Sequence, residues 1–181
     1  NKQNYPSDKY EIIPVSINAG ISEYNKVINA AKGDIIVISD SETIYDCNAV
    51  RNLTKHFSDN RIGCVIGQLR KKDETGEEID GGAFWKYENF VRKQESKLGV
   101  VSGANHAIYA FRKNKITAVP QHIIDIDFFI SIYILQAGYD VIMETDAVAY
   151  ESSDDNEKQQ FERHVRDGMS YYQALGVFWR L

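Results

Sequence analysis

The sequence predicts an α/β domain with a mixed, mostly parallel sheet flanked by helices. Three observations carry this expectation. Short apolar runs alternate with segments whose apolar residues recur at helical spacing. The run Ile35–Ile38 is continuously apolar, as in a strand covered on both faces. Ile123–Gln136 is apolar almost all round, as in a buried helix.

Taken in order, Tyr10–Val15 reads as a strand and Glu23–Ala31 as a short helix closed by Lys32-Gly33. The strand at Ile35–Ile38 ends in acid, Asp40-Ser41-Glu42. Thr43–Phe57 places Ile44, Cys47, Val50, Leu53 and Phe57 at helical spacing. Ile62–Ile66 is a short strand, and the charged, glycine-bearing stretch from Arg70 to Gly82 an exposed loop or hairpin. Phe84, Tyr87, Val91, Gln94 and Leu98 fall on one side of a helix. Val100–Ala104 leads into a strand around Ala107–Phe111. The apolar helix starts near Asp127 and stops at Gly138. Asp140–Glu144 and Ala147–Tyr150 are strand-like, and Asn156–Gln173 is a partly amphipathic helix. The expected division is a catalytic domain over 1–155 and a C-terminal interfacial helix over 156–181.

The length, 181 residues, suits one domain with a proper core, and 43% hydrophobic with 26% charged residues is ordinary for a globular protein. A net charge of −5 with no long basic block argues against nucleic acid as a partner. Cys47 and Cys64 make neither a disulfide framework nor a zinc spacing. Asn1–Lys9 is polar and unlike a signal peptide, and no apolar run has the length of a membrane span. The apolar, aromatic ending Ala174–Leu181 reads as a last packed turn or as the approach to a membrane segment.

Three polar constellations offer chemistry. Asp40 and Glu42 stand two residues apart at a strand's carboxyl end, where open α/β sheets bind ligands, and in extended chain they share a side. Such a pair can hold a hard divalent cation; it also reads as two solvated acids ahead of a helix. Asp125 and Asp127 precede the apolar helix. Asp127 reads as an N-cap or first-turn residue and equally as a general base, which must be held in place and reach its proton. Gln160 and Arg163 share a helix face that Arg166 continues, a surface for phosphate oxygens or for solvent. His56 reads as helix surface, His106 and His122 as structural or acceptor contacts, and most of the 11 tyrosines as packing.

In combination and order, Asn18-Ala-Gly20, Asn25, Ala31–Asp34, Asp40-Ser-Glu42, Ser102-Gly103-Ala104, Asp127 with Gly138-Tyr139, and Gln160-x-x-Arg163 resemble the family 2 glycosyltransferases of the GT-A fold. The resemblance runs from about Asn18 to about Leu175. It implies an inverting transferase that moves a sugar from a nucleotide-sugar, with UDP the commonest nucleotide, to a glycan, lipid-linked or other hydroxyl acceptor. It implies that Asp40 and Glu42 hold Mg²⁺ or Mn²⁺ and the donor diphosphate, with Glu in place of the family's second Asp. Asp127 matches the base. Gly103, Ala104, Asn105 and Asp125 lie on the acceptor side. Gln160 and Arg163 match a donor-binding Q-x-x-R-W motif of processive members, in which His164 replaces the tryptophan. A cytoplasmic membrane face is implied for the longer protein.

Other classes lack their signals: no glycine-rich phosphate loop of a nucleotidyltransferase, and no G-x-G-x-x-G. A non-catalytic binding or assembly module on the same fold is the alternative. Only 39 residues precede Asp40, so the family's base-binding strands are expected to be shortened, UDP binding by this chain weak, and an open sheet edge available for homodimerisation.

Overall fold

A computed structural model of the chain describes residues 3–16, 20–41, 43–72, 75–79, 82–101, 107–123 and 125–152. Six strands, β1 (Ile35–Ser39), β2 (Ile44–Tyr45), β3 (Ile62–Lys72), β4 (Glu78–Ile79), β5 (Ile108–Arg112) and β6 (Asp140–Ser152), form one sheet. Its order is β1-β5-β3-β6-β2, with β4 hairpinned onto β3. Among the described residues four α-helices accompany it: α1 (Ile21–Ala30), α2 (Ala49–Thr54), α3 (Gly82–Lys97) and α4 (Ile126–Gln136).

The sheet is mixed, as expected, but the parallel majority does not hold for its ladders. β1, β3 and β6 run the same way, yet β5 lies between β1 and β3 and opposes both. Only β3 and β6 pair in parallel among the named strands.

The two faces of the sheet are covered by different elements. On one, Ile28 of α1 and Phe129, Ile130 and Ile134 of α4 pack with Cys64, Ile66, Tyr109 and Phe111. On the other, Ala49 and Leu53 of α2 pack with Val65, Ile108, Ala110 and Ala149. The alternation within β1 follows this division. Ile36 and Ile38 join the first cluster, and Ile35 and Val37 the second. The continuous apolar run is therefore a strand covered on both faces, half-buried because it lies at the sheet's edge.

Several expectations change. Tyr10–Val15 is irregular and Ile12 is 82% exposed; Pro14 removes a ladder donor from the run. Thr43–Phe57 is not one helix. Ile44 and Tyr45 pair with Tyr150 and Ala149, and helix begins only at Ala49. The Tyr45 hydroxyl donates to the Ile38 carbonyl at 2.8 Å, so tertiary contacts override the helical spacing. The two segments read at the end of the sheet are one strand, β6, with a register shift opposite Gly67. At that irregularity Glu144 meets Lys55 at 2.7 Å and His56 at 2.6 Å. His56 is thus a paired residue rather than helix surface.

Apolar side chains stand out from α3 beside polar ones. Tyr87, Phe90 and Leu98, just beyond its end, are 66%, 60% and 75% exposed. Ser96 ties α3 to the sheet: its Oγ accepts from the Met143 N–H at 2.8 Å. Residues 153–181, including the expected boundary at 155/156 and the expected C-terminal helix, lie outside the described residues.

The close approach of α4 to β3 depends on Gly63. A Cβ there would stand 2.5 Å from Ile134 Cγ2 and 2.8 Å from Tyr139 Cβ. Gly63→Ala is expected to lift α4 and destabilise the fold by about 1–3 kcal/mol, by the cost of overpacking a tight core. An unchanged thermal midpoint would count against this packing.

Candidate active site

The site lies at the carboxyl end of β1. Asp40 follows the strand and is exposed. Two residues after Ile38, it continues the sheet face that carries α1 and α4. The end of β1 is fixed by local bonds. Thr43 Oγ1 donates to the Asp40 carbonyl at 3.0 Å, Ser41 Oγ to Asp40 Oδ1 at 3.4 Å, and Tyr45 Oη to the Ala107 carbonyl at 3.3 Å. The partner strand starts at the same place, since Ser39 pairs with Ile108.

Asp127 comes from the first turn of α4 and is only 8% exposed. Asp125, not Asp127, is the N-cap. Its Oδ1 accepts from the backbone N–H groups of Asp127 at 3.0 Å and Phe128 at 2.9 Å. Of the two structural readings of Asp127, N-cap or first-turn residue, the second holds. One carboxylate oxygen of Asp127 accepts from the phenol of Tyr109 on β5. Asp125→Ala is expected to cost about 0.5–2 kcal/mol of stability, as for loss of other caps. Equal midpoints in chemical unfolding would contradict the capping role.

Tyr24 of α1 feels the charge of both acids. Its half-buried phenol is pushed up from its ordinary pKa by burial first, then by the negative charges of Asp127 and of Asp40. Both carboxylates therefore act on one phenol, although 87 positions separate them in the chain. α1 is itself fixed toward α4's side of the sheet: the Asn25 side chain donates to the Val119 carbonyl at 2.8 Å and accepts from its N–H at 2.9 Å.

Asp40, Asp125 and Asp127 are thus placed. Glu42, Gly103, Ala104, Asn105, Gln160 and Arg163 lie outside the described residues. Sequence reasoning did not single out Tyr24 or Tyr109; it read most of the tyrosines as packing. The usable signal was Tyr109 alternating with Phe111 on an apolar strand, because a buried phenol needs a hydrogen-bond partner.

Asp40 offers a hard oxygen donor at an open strand end. Among the described residues no group of three or more His, Cys, Asp and Glu side chains could hold a metal. The arrangement fits a cation such as Mg²⁺, which binds through one or two carboxylates and shares the rest of its shell with phosphate and water.

Comparison with known proteins decides the family. The glycosyl transferase family 2 profile matches residues 3–117, more than half of the chain. The chain belongs to this family. The O-antigen chain rhamnosyltransferase RfbN of Salmonella typhimurium is 26% identical over 170 residues, covering 88% of this chain and 54% of that protein. The O-antigen chain rhamnosyltransferase WbaN of Salmonella anatum is 23% identical over 175 residues, covering 91% and 56%. The family 2 chain thus spans about half the length of these curated relatives. The mannosyltransferase PcManGT from Pyrobaculum calidifontis, solved with GDP-Man and Mn²⁺, superposes with a TM-score of 0.73 at 19% identity, covering 91% of this chain and 44% of that one. GalNAc-T7, solved with UDP, GalNAc and Mn²⁺, gives 0.50 at 14% identity, covering 73% and 30%. These likenesses establish the GT-A fold.

Proposed function

We propose that the protein containing this chain is an inverting, metal-assisted glycosyltransferase that moves a sugar from a nucleoside diphosphate sugar to a hydroxyl of a glycan or lipid-linked acceptor. The observation that carries this reading is the seat of Asp127 against Tyr109, whose ladder partner Ile38 stands two residues before Asp40 at the carboxyl end of β1. An exposed acid at the strand end and a nearly buried acid on a capped helix suit two different tasks.

Asp127 acts as general base. Its carboxylate takes the proton of the acceptor hydroxyl as the oxygen bonds to the anomeric carbon. The bond from that carbon to the diphosphate oxygen breaks, and its electron pair leaves with the nucleoside diphosphate. A single displacement from the opposite face inverts the anomeric centre. Asp40 and Glu42 are the residues that would hold Mg²⁺ or Mn²⁺ together with the donor diphosphate. When bound, the cation offsets the charge that grows on the leaving group. Asp125 fixes the helix that presents Asp127, on the acceptor side with Gly103, Ala104 and Asn105. Gln160 and Arg163 bind donor phosphate, a task that suits the arginine fork. UDP-sugars are the first donors to test; the solved neighbours were captured with GDP-Man and with UDP.

The test is nucleoside diphosphate release by the full-length protein from a panel of UDP-, GDP- and dTDP-sugars with Mn²⁺. Release from at least one donor, lost on adding EDTA, is expected. No release from any of them would favour the non-catalytic binding module.

We also place the full-length protein at the cytoplasmic face of the membrane. The exposed stripe of Tyr87, Phe90 and Leu98, with Lys93 and Lys97 exposed beside it, supports this, since apolar and basic groups together suit an anionic lipid surface. No helix among the described residues is long and apolar enough to cross a membrane. Phe90→Glu with Leu98→Glu is expected to weaken co-sedimentation with anionic vesicles by at least about tenfold, given the apolar area withdrawn. Unchanged co-sedimentation would remove α3 from the contact. The edge strand β1 is the surface proposed for homodimerisation.

A further inference from the structure

We propose that Tyr109 is a positioning residue for glycosyl transfer, holding the Asp127 carboxylate in the plane from which it takes the acceptor proton. The inference rests on the reading of Asp127 as the base.

Tyr109 is fully buried in β5, and its phenol donates to one oxygen of Asp127. The ring has little freedom. It stacks on Phe111 with centroids 6.0 Å apart, inside the cluster that includes Ile66, Ile130 and Ile134. Strand pairing fixes its backbone on both sides, to Ile38 of β1 and Ile66 of β3. The donor is therefore built into the sheet, whereas Asp127 stands on a helix laid over it.

Two separate elements thus define the base. The Asp125 cap fixes the backbone of the first turn of α4 through the N–H of Asp127 itself. The Tyr109 hydroxyl then holds one oxygen of the side chain. The phenol keeps its proton throughout. Burial first, then the charge of Asp127 and the hydrogen bond to it, push the Tyr109 pKa far above its ordinary value. Tyr109 therefore remains a donor at any working pH and takes no part in proton transfer. Its effect is on geometry, where small displacements of a catalytic group cost large factors in rate.

The experiment is a double-mutant cycle in the full-length protein with Tyr109→Phe, Asp127→Asn and the pair. It uses whichever UDP-, GDP- or dTDP-sugar the panel selects, with Mn²⁺, and reads kcat, donor KM and the thermal midpoint. Phe keeps the packed ring and removes only the hydroxyl. Expected is a fall in kcat of about 10–10²-fold for Tyr109→Phe, with donor KM unchanged and no further fall when it is added to Asp127→Asn. A purely structural role would multiply the two losses or move KM, and either result overturns the proposal. So does an unchanged kcat for Tyr109→Phe while Asp127→Asn is impaired. Near-normal activity of Asp127→Asn would instead defeat the reading of Asp127, and the positioning role with it.

Discussion

Asp127→Asn in the full-length protein is expected to lower sugar transfer by about 10²–10⁴-fold, the usual contribution of a positioned general base, with donor KM little changed. The structure separates this loss from unfolding. The helix cap belongs to Asp125, whose carboxylate accepts from the N–H groups of residues 127 and 128, so the first turn of α4 survives the substitution. An asparagine at 127 still offers an oxygen to the Tyr109 phenol, whose burial requires an acceptor. What disappears is the ability to take a proton. Asp125→Asn supplies the control. Asparagine caps helices about as well as aspartate, so this variant should keep its stability and most of its activity. If Asp127→Asn is active and Asp125→Asn is not, the base is Asp125 and the role of the pair is reversed.

The second large effect is expected at Asp40. Removing divalent cations with EDTA, or making Asp40→Asn, should lower turnover by about 10²–10³-fold, since several kcal/mol of charge stabilisation on the leaving diphosphate would be lost. Adding Mn²⁺ or Mg²⁺ back should restore the EDTA-treated protein but not the variant at the same concentration. Asp40 is exposed, so Asp40→Asn should shift stability by no more than about 0.5 kcal/mol. Turnover that survives both treatments would place the diphosphate elsewhere.

The parts of this account that were legible in the sequence are those written in short-range pattern. The run Ile35–Ile38 had no polar residue to give it an outer face, so both sides of β1 had to be covered, and Asp40 had to emerge at its end. The apolar segment before Gly138 read as a buried helix, and Gly138 indeed takes φ +81° at its close. Pattern failed where distant contacts decide conformation. Ile44 and Tyr45 fit a helical stripe, but Tyr45 is drawn into the ladder with β6 and into its bond with the Ile38 carbonyl. Tyr10–Val15 had strand composition, and Pro14 within it was the overlooked signal. The site was legible as acids but not as a site. Asp127 could be nominated, whereas its Tyr109 partner comes from another element, and the phenol shared with Asp40 comes from α1. Neither relation leaves a trace in spacing. The split between Asp125 as cap and Asp127 as the partner of Tyr109 was equally invisible, because both residues are suitable caps.

The most direct test of the roles proposed for Asp40 and Asp127 is a crystal of the full-length protein soaked with UDP and MnCl₂, with manganese located by its anomalous signal. Expected is a manganese ion in direct contact with the Asp40 carboxylate and the UDP diphosphate, with Asp127 on the other side of the space the sugar would fill. UDP bound with manganese away from Asp40, or a diphosphate on a surface that does not include the Tyr24 phenol, would contradict it.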